Sequence, residues 1–295
     1  MSVEFLQPST WDDALAAKTA YPEAVPIAGG TDVMVEVNFD RRRPAALLDL
    51  TRVTELAEWT SDGGEGSSGS GGGTIRLGAG VSYRRVIEEL GERLPGLAMA
   101  SRTVGSPQIR NRGTVGGNLG SASPAGDAHP PLLAVGAEVE LASTRGTRRV
   151  PVDAFFTGPK RSVLAADELI AAVHVPVTAG PEQFAKVGTR NAMVIAVCSF
   201  GLALHSGRCS VGTGIGSAAP TPVRAVAAEE LAAAELPWQS RAPLPDAVAA
   251  RFGELVAAAA APIDDVRGTA GYRRHALRVL AARTLRWAWE EYRCA

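Results

Sequence analysis

The sequence predicts an α+β protein, with an N-terminal region to about residue 178 and a smaller α+β unit after it. Three observations predict this. Short apolar runs cut off by Gly or Pro alternate with helical patterns through the first part of the chain. Val194 to His205 and Arg208 to Gly216 read as two strands facing each other across a Ser206-Gly207 turn. From about residue 224 the chain turns alanine-rich, and Tyr272, Ala276, Val279 and Leu280 repeat at helical spacing near its end.

Taken in order, Ser9-Thr10 starts a helix at Trp11, whose first turn carries Asp12 and Asp13, a charge that suits the helix dipole. Ala24 to Ala28 is a short strand that stops at Gly29-Gly30, and Ala45 to Leu50 is a second buried strand just after a solvated turn at Arg41 to Arg43. Residues 61–73, SDGGEGSSGSGGG, offer no apolar surface to bury and read as a flexible surface loop joining two strands of one subdomain. The strand after it, Thr74 to Ala79, alternates with period two. Ser82 caps a helix with Val86, Ile87 and Leu90 on one face. Residues 104–127, rich in Gly, Ser, Asn and Pro, are expected to be mostly irregular. Regular structure resumes at Leu132 to Val135, at a strand from Ala137 to Leu141, and at a strand from Leu169 to Pro176. A boundary is expected near Thr178 to Pro181.

Composition narrows the function. With 30 basic and 31 acidic residues the net charge is -1, which argues against nucleic acid or an acidic membrane surface as a partner. The opening MSVEFLQPSTWDDALAA lacks a basic segment followed by an apolar one, and no apolar run is long enough to span a bilayer, so a cytoplasmic protein is expected. Cys198, Cys209 and Cys294 lack the spacing of a disulfide framework or of an iron–sulfur centre. The histidines, His129, His174, His205 and His275, are scattered, and no metal site is expected.

Two glycine loops carry the chemistry. Ala28-Gly29-Gly30-Thr31-Asp32-Val33 follows a strand, and Gly113-Thr114-Val115-Gly116-Gly117-Asn118 comes from a distant part of the chain. Glycines let main-chain N–H groups turn toward an anion and let a phosphate approach with no Cβ in the way, while a Thr hydroxyl adds a donor. Two such loops suit a pyrophosphate. Neither is followed by Gly-Lys-Ser/Thr, and neither is a G-x-G-x-x-G turn between strand and helix, so Walker and Rossmann sites are not indicated. The residues alone lead to a nucleotide or dinucleotide binder.

The conjunction of motifs goes further. AGGTDV at 28–33, TVGGNL at 114–119 and SPAGD at 123–127 follow the order of the AGG(T/H)(D/S)L-like, TIGGN(L/I)-like and (S/D)P(A/S)-x-D segments of molybdenum hydroxylase flavin subunits. Phe155 to Arg161, Phe184 to Met193, Ala219 to Arg224 and Asp265 to Arg274 resemble later segments, so the likeness runs through nearly the whole chain. The sequence therefore resembles the FAD-binding subunits of the xanthine dehydrogenase and carbon monoxide dehydrogenase family. It departs from the mammalian pattern at Pro159, where an aromatic stands in xanthine dehydrogenase.

The resemblance implies an FAD-binding PCMH-type domain over residues 1–178, with two α/β subdomains at about 1–55 and 56–178, and a C-terminal domain over 179–295. It implies an oxidoreductase subunit that takes electrons from [2Fe–2S] clusters on a small subunit, fed by a molybdenum-cofactor large subunit, and passes them to NAD or another acceptor. It places the backbone of Ala28, Gly29, Gly30, Thr31, Asp32 and Val33, and of Gly113, Thr114, Gly116, Gly117 and Asn118, on the FAD pyrophosphate, with Ser123 in the following loop. Asp127 takes hydroxyl hydrogen bonds, Ile170 packs on the isoalloxazine, and Lys186 stabilises negative charge on the reduced ring. Without the resemblance Asp127 is as readily a turn residue, Ile170 core and Lys186 surface. No side chain is expected to act as a general base. Two other readings stand beside it, a self-sufficient flavin-dependent oxidoreductase of the same fold and a flavin-free assembly protein.

Overall fold

The computed structural model describes residues 3–62 and 72–295. Of the expected glycine-serine loop, residues 63–71 lie outside the described residues. The first unit is a small parallel sheet. Strand β1 (Glu4–Leu6) is followed by α1 (Trp11–Ala20), β2 (Val25–Ile27), α2 (Val33–Asn38) and β3 (Ala46–Asp49). Strand β3 lies between β1 and β2, parallel to both. The Thr10 hydroxyl accepts the Asp13 N–H at 3.1 Å, the cap the sequence calls for.

The second unit is a five-stranded antiparallel sheet in the order β4-β5-β10-β6-β7. It is built from β4 (Trp59–Ser61), β5 (Thr74–Gly78), β6 (Glu138–Ser143), β7 (Gly146–Pro151) and β10 (Leu169–Pro176). Strands β4 and β5 pair directly, so the segment between them does join two strands of one sheet. Between β5 and β6 the chain makes α3 (Tyr83–Glu89), α4 (Pro95–Thr103), α5 (Pro107–Arg112), α6 (Val115–Ser121) and α7 (His129–Val135). Between β7 and β10 run α8 (Val152–Phe155), β8 (Phe156–Gly158) and β9 (Arg161–Ser162).

Residues 104–127 are thus not mostly irregular. Ser106 caps α5, its hydroxyl accepting the Ile109 N–H with Pro107 at the first helical position, and Thr114 caps α6. The glycines that suggest loop serve close packing instead, and helix forms because caps and tertiary contacts outweigh their low propensity.

The last unit is the antiparallel sheet β11 (Glu182–Val187), β12 (Cys198–His205) and β13 (Ser210–Gly216), with α9 (Val226–Glu235), α10 (Asp246–Ala259) and α11 (Ala270–Cys294). Strand β12 starts at Cys198 rather than Val194, because the preceding residues swing out beside the first units. Helix α11 buries Arg273, Ala276, Leu277, Ala281, Thr284 and Leu285, so its inner stripe is rotated from the expected one and leaves Tyr272 49% exposed.

Residues Cys198 to Leu204 of β12 are buried on both faces, since α11 covers one and α7 the other. Glycines make the α7 contact possible. A Cβ on Gly214 would lie 2.1 Å from the Pro130 carbonyl oxygen, and one on Gly212 1.9 Å from that of Ala134. Gly214→Ala is therefore expected to lower stability by about 1–3 kcal/mol, measured as a shift in the urea unfolding midpoint.

Candidate functional site

Strand β2 delivers Ile27 to the turn Ala28-Gly29-Gly30, where Gly30 adopts φ +74°, a left-handed backbone that glycine takes without strain. The turn then enters α2 at Asp32. Gly29 sits flat against the end of α5. A Cβ there would lie 1.9 Å from the Arg112 carbonyl oxygen and 2.9 Å from the Gly113 nitrogen. From the other side, a Cβ on Gly113 would stand 3.5 Å from the Thr31 hydroxyl. The two glycine loops touch, and only the missing side chain lets them do so.

Their meeting forms one wall of a cleft of about 590 Å³, a size usual for small-molecule sites. Its lining contains Ala28, Gly29, Gly30, Thr31, Asp32, Val33, Gly113, Thr114, Gly116, Gly117, Asn118, Ser123, Asp127 and Ile170. Lys186 is not in that lining; it stands behind Asp127. Tyr83, Lys160 and the segment Met193 to Ile195 also line the cleft, and sequence reasoning missed them as site residues. Only the fold shows that a helix start, a β-turn and a strand approach border one cleft. A second cleft of about 660 Å³, lined by Leu133 to Gly136 and His205 to Arg208, contains neither glycine loop.

The two loops differ in what they offer. Among the described residues, the N–H groups of Gly29, Gly30, Thr31, Asp32 and Val33 make no hydrogen bond to the protein. Open amides at a helix start are the donors an anion needs. In the second loop the Gly117 N–H is taken by the Thr114 hydroxyl at 2.9 Å, and the Asn118 N–H by the Thr114 carbonyl at 3.0 Å. Gly116 lies against Ala79, where a Cβ would come within 2.5 Å of the Ala79 Cβ and oxygen. That loop supplies close approach more than free amides.

Polar groups further along the cleft are fixed from behind. Lys186 Nζ donates to Asp127 Oδ2 at 2.6 Å and to the Thr103 carbonyl at 3.2 Å. Asp127 Oδ1 and the Tyr83 hydroxyl are buried and find no partner in the protein. Such orphaned atoms beside a cleft mark where a ligand completes the hydrogen bonding. Burial pushes the Asp127 carboxyl up to about 6, against the pull of the Lys186 ammonium. Burial likewise raises the Asp32 carboxyl, with Lys160 pulling it back. Asn118 Oδ1 accepts the Ala128 N–H at 3.4 Å, and the Asn118 carbonyl faces His129 Nε2 at 3.3 Å. Burial drops His129 to about 4, so it is neutral at pH 7 and donates that contact. At the mouth, Glu36 pairs with Lys160 and lies 3.6 Å from Arg42.

Open amides beside glycines, unpartnered polar atoms, and an apolar strip of Leu164, Leu169 and Ile170 suit a long ligand with an anionic bridge and a flat apolar ring. Among the described residues, no group of three or more His, Cys, Asp or Glu is placed to hold a metal ion, and no helix is long and apolar enough to cross a membrane.

Comparison with known proteins names that ligand. Residues 1–178 match the model of the FAD binding domain in molybdopterin dehydrogenase, and residues 183–288 match the CO dehydrogenase flavoprotein C-terminal domain. The chain belongs to the FAD-binding subunits of the molybdenum hydroxylases. It is 30% identical over 286 residues to a putative xanthine dehydrogenase FAD-binding subunit of Escherichia coli, covering 94% of this chain and 92% of that one. It is 28% identical to the nicotine 6-hydroxylase medium subunit of Paenarthrobacter nicotinovorans over 96% of both chains. A chain of the carbon monoxide dehydrogenase from Hydrogenophaga pseudoflava superposes with a TM-score of 0.87 at 27% identity, covering 100% of this chain and 99% of that one. This flavin subunit of an oxidoreductase thus takes FAD as its cofactor, and the residues in the cleft fit that molecule. The expected fold class, an FAD-binding domain followed by a second α+β domain, is the one found.

Because the Gly29 contact leaves no room for a methyl group, Gly29→Ala is expected to spread the loops and weaken FAD binding at least about tenfold, roughly 1.4 kcal/mol. Quenching of FAD fluorescence on titration with the protein measures this.

Proposed function

We propose that the subunit holds one FAD in the glycine-loop cleft and works as an electron relay in a cytoplasmic complex. It receives electrons from [2Fe–2S] clusters of a small partner subunit, themselves fed by a molybdenum-cofactor large subunit, and hands them to NAD or another acceptor. Residues 1–178 act as the flavin-holding domain, in subdomains of about 1–55 and 56–178, and residues 179–295 as the C-terminal domain. Bound FAD supplies the exchange between one-electron donors and two-electron acceptors.

The chain's own residues hold and tune. The open N–H groups of Gly29 to Val33 bind the diphosphate, with Gly113, Thr114, Gly116, Gly117 and Asn118 forming the surface against which it lies. Ser123 borders the same wall. Asp127 accepts a ligand hydrogen bond at Oδ1 while Lys186 occupies Oδ2, so the lysine acts on the flavin through the carboxylate it fixes. Ile170, near the start of β10, packs on the ring. The observation that carries this reading is the contact of Gly29 with Arg112 and Gly113, which brings open amides and glycine surface to one cleft. The relatives' names as FAD or medium subunits support the relay role.

The purified chain is expected to take up one FAD per polypeptide and, when co-produced with its neighbouring subunits, to copurify with iron and molybdenum. Metal analysis and absorbance spectroscopy read both. A chain that stays colourless with FAD, or one that alone turns over a substrate rapidly, contradicts the proposal.

Asp127 adds a pH dependence. Its carboxyl titrates at about 6, so it is an acceptor above that pH and loses the role as the pH falls. FAD affinity should decline from pH 7.5 to 5, and Asp127→Asn should flatten that decline. Fluorescence titrations across that range check the sign.

A further inference from the structure

The segment Asp265 to Arg274 resembles a family motif, yet none of it lines the cleft. Its centre is Arg273, on the first turn of α11 and only 2% exposed. A buried guanidinium is costly unless it is paired and hydrogen-bonded; here both terminal nitrogens are, while Nε has no partner in the protein. Nη1 donates to the carbonyls of Val197 at 2.7 Å and Ser217 at 2.6 Å, and Nη2 to Asp265 Oδ1 at 2.5 Å. Asp265 also takes the guanidinium of Arg267 at 2.8 Å. Burial works upward on the Asp265 carboxyl, but the Arg267 N–H and both guanidinia outweigh it and hold it at about 2.

Both carbonyls lead to the cleft. Val197 closes the segment whose Met193, Val194 and Ile195 line it. Ser217, at φ +60°, donates its N–H to the Pro124 carbonyl at 2.8 Å. Pro124 belongs to the loop that presents Ser123 and Asp127. One buried fork thus links the Met193–Ile195 wall to the Asp127 loop, two separate stretches of the chain. We propose that Arg273 is a positioning residue for the flavin cleft, holding the Met193–Ile195 wall and the Asp127 loop in register through the Val197 and Ser217 carbonyls. This rests on the cleft being the FAD site.

Lysine keeps the charge but lacks the planar fork, so Arg273→Lys cannot serve two carbonyls and Asp265 together. The test has two parts. In the FAD-free chain, hydrogen exchange at the bonded amides of Ser217 and Val197 should speed up at least about tenfold, with β5 and β6 unchanged. In the FAD-loaded chain, affinity should fall about five- to tenfold, and the visible absorbance of the bound flavin should shift. Wild-type exchange at those amides overturns the proposal. So does faster exchange with unaltered FAD affinity and spectrum, which leaves Arg273 a brace of the C-terminal domain alone. If Arg273→Lys fails to fold, Asp265→Asn, which loosens the guanidinium without removing it, carries the test with the same expected and overturning results. Failure of the wild-type chain to bind FAD refutes the cleft assignment separately, since the exchange measurement needs no cofactor.

Discussion

The site depends on a contact between two pieces of backbone. Gly29 lies so close to the Arg112 carbonyl that any side chain would overlap it. This contact joins the small parallel sheet to the helices inserted between β5 and β6 of the larger antiparallel sheet. Because the joint is made of main chain, its geometry does not depend on side-chain rotamers. It also leaves the amides of the turn from Gly29 to Val33 open, since the chain there is neither in a sheet nor far enough into α2 to bond itself.

Another part of the cleft is organised by buried charge. Asp127 and Lys186 come from different sheets' neighbourhoods and neutralise one another at 2.6 Å. A buried pair of this kind adds little to stability on its own, but it fixes orientation. One carboxylate oxygen is used and the other finds no partner in the protein. The C-terminal sheet therefore contributes electrostatics and a wall, while the N-terminal units contribute anion donors.

Much of this was legible in the residues. Thr10, Ser82 and the Gly-Gly turn after β2 announced their elements through hydroxyl caps and a chain stop. The run Leu169 to Pro176 announced a strand that the structure bounds identically. Residues 104–127 misled because glycine can mean either a loop or a helix packed against another backbone, and only the Ala79 and Arg112 contacts tell which. The stripe of α11 was misplaced because its buried face includes Arg273 and Thr284, polar residues whose hydrogen-bond partners no periodicity reveals. Within the site, the glycine loops, Asp127 and Ile170 were legible as motifs. Tyr83 and Met193 to Ile195 were not, because their role comes from where other elements place them. The sequence also treated both glycine loops as amide donors, whereas the capping hydroxyl of Thr114 spends the Gly117 N–H.

The most direct measurement is a crystal structure of the FAD-loaded chain. Diphosphate oxygens are expected within about 3.2 Å of the N–H groups between Gly29 and Val33, with the bridge lying across the Gly29–Gly113 contact. A diphosphate bound elsewhere, such as in the cleft between Leu133 to Gly136 and His205 to Arg208, with those amides left to water, would contradict it.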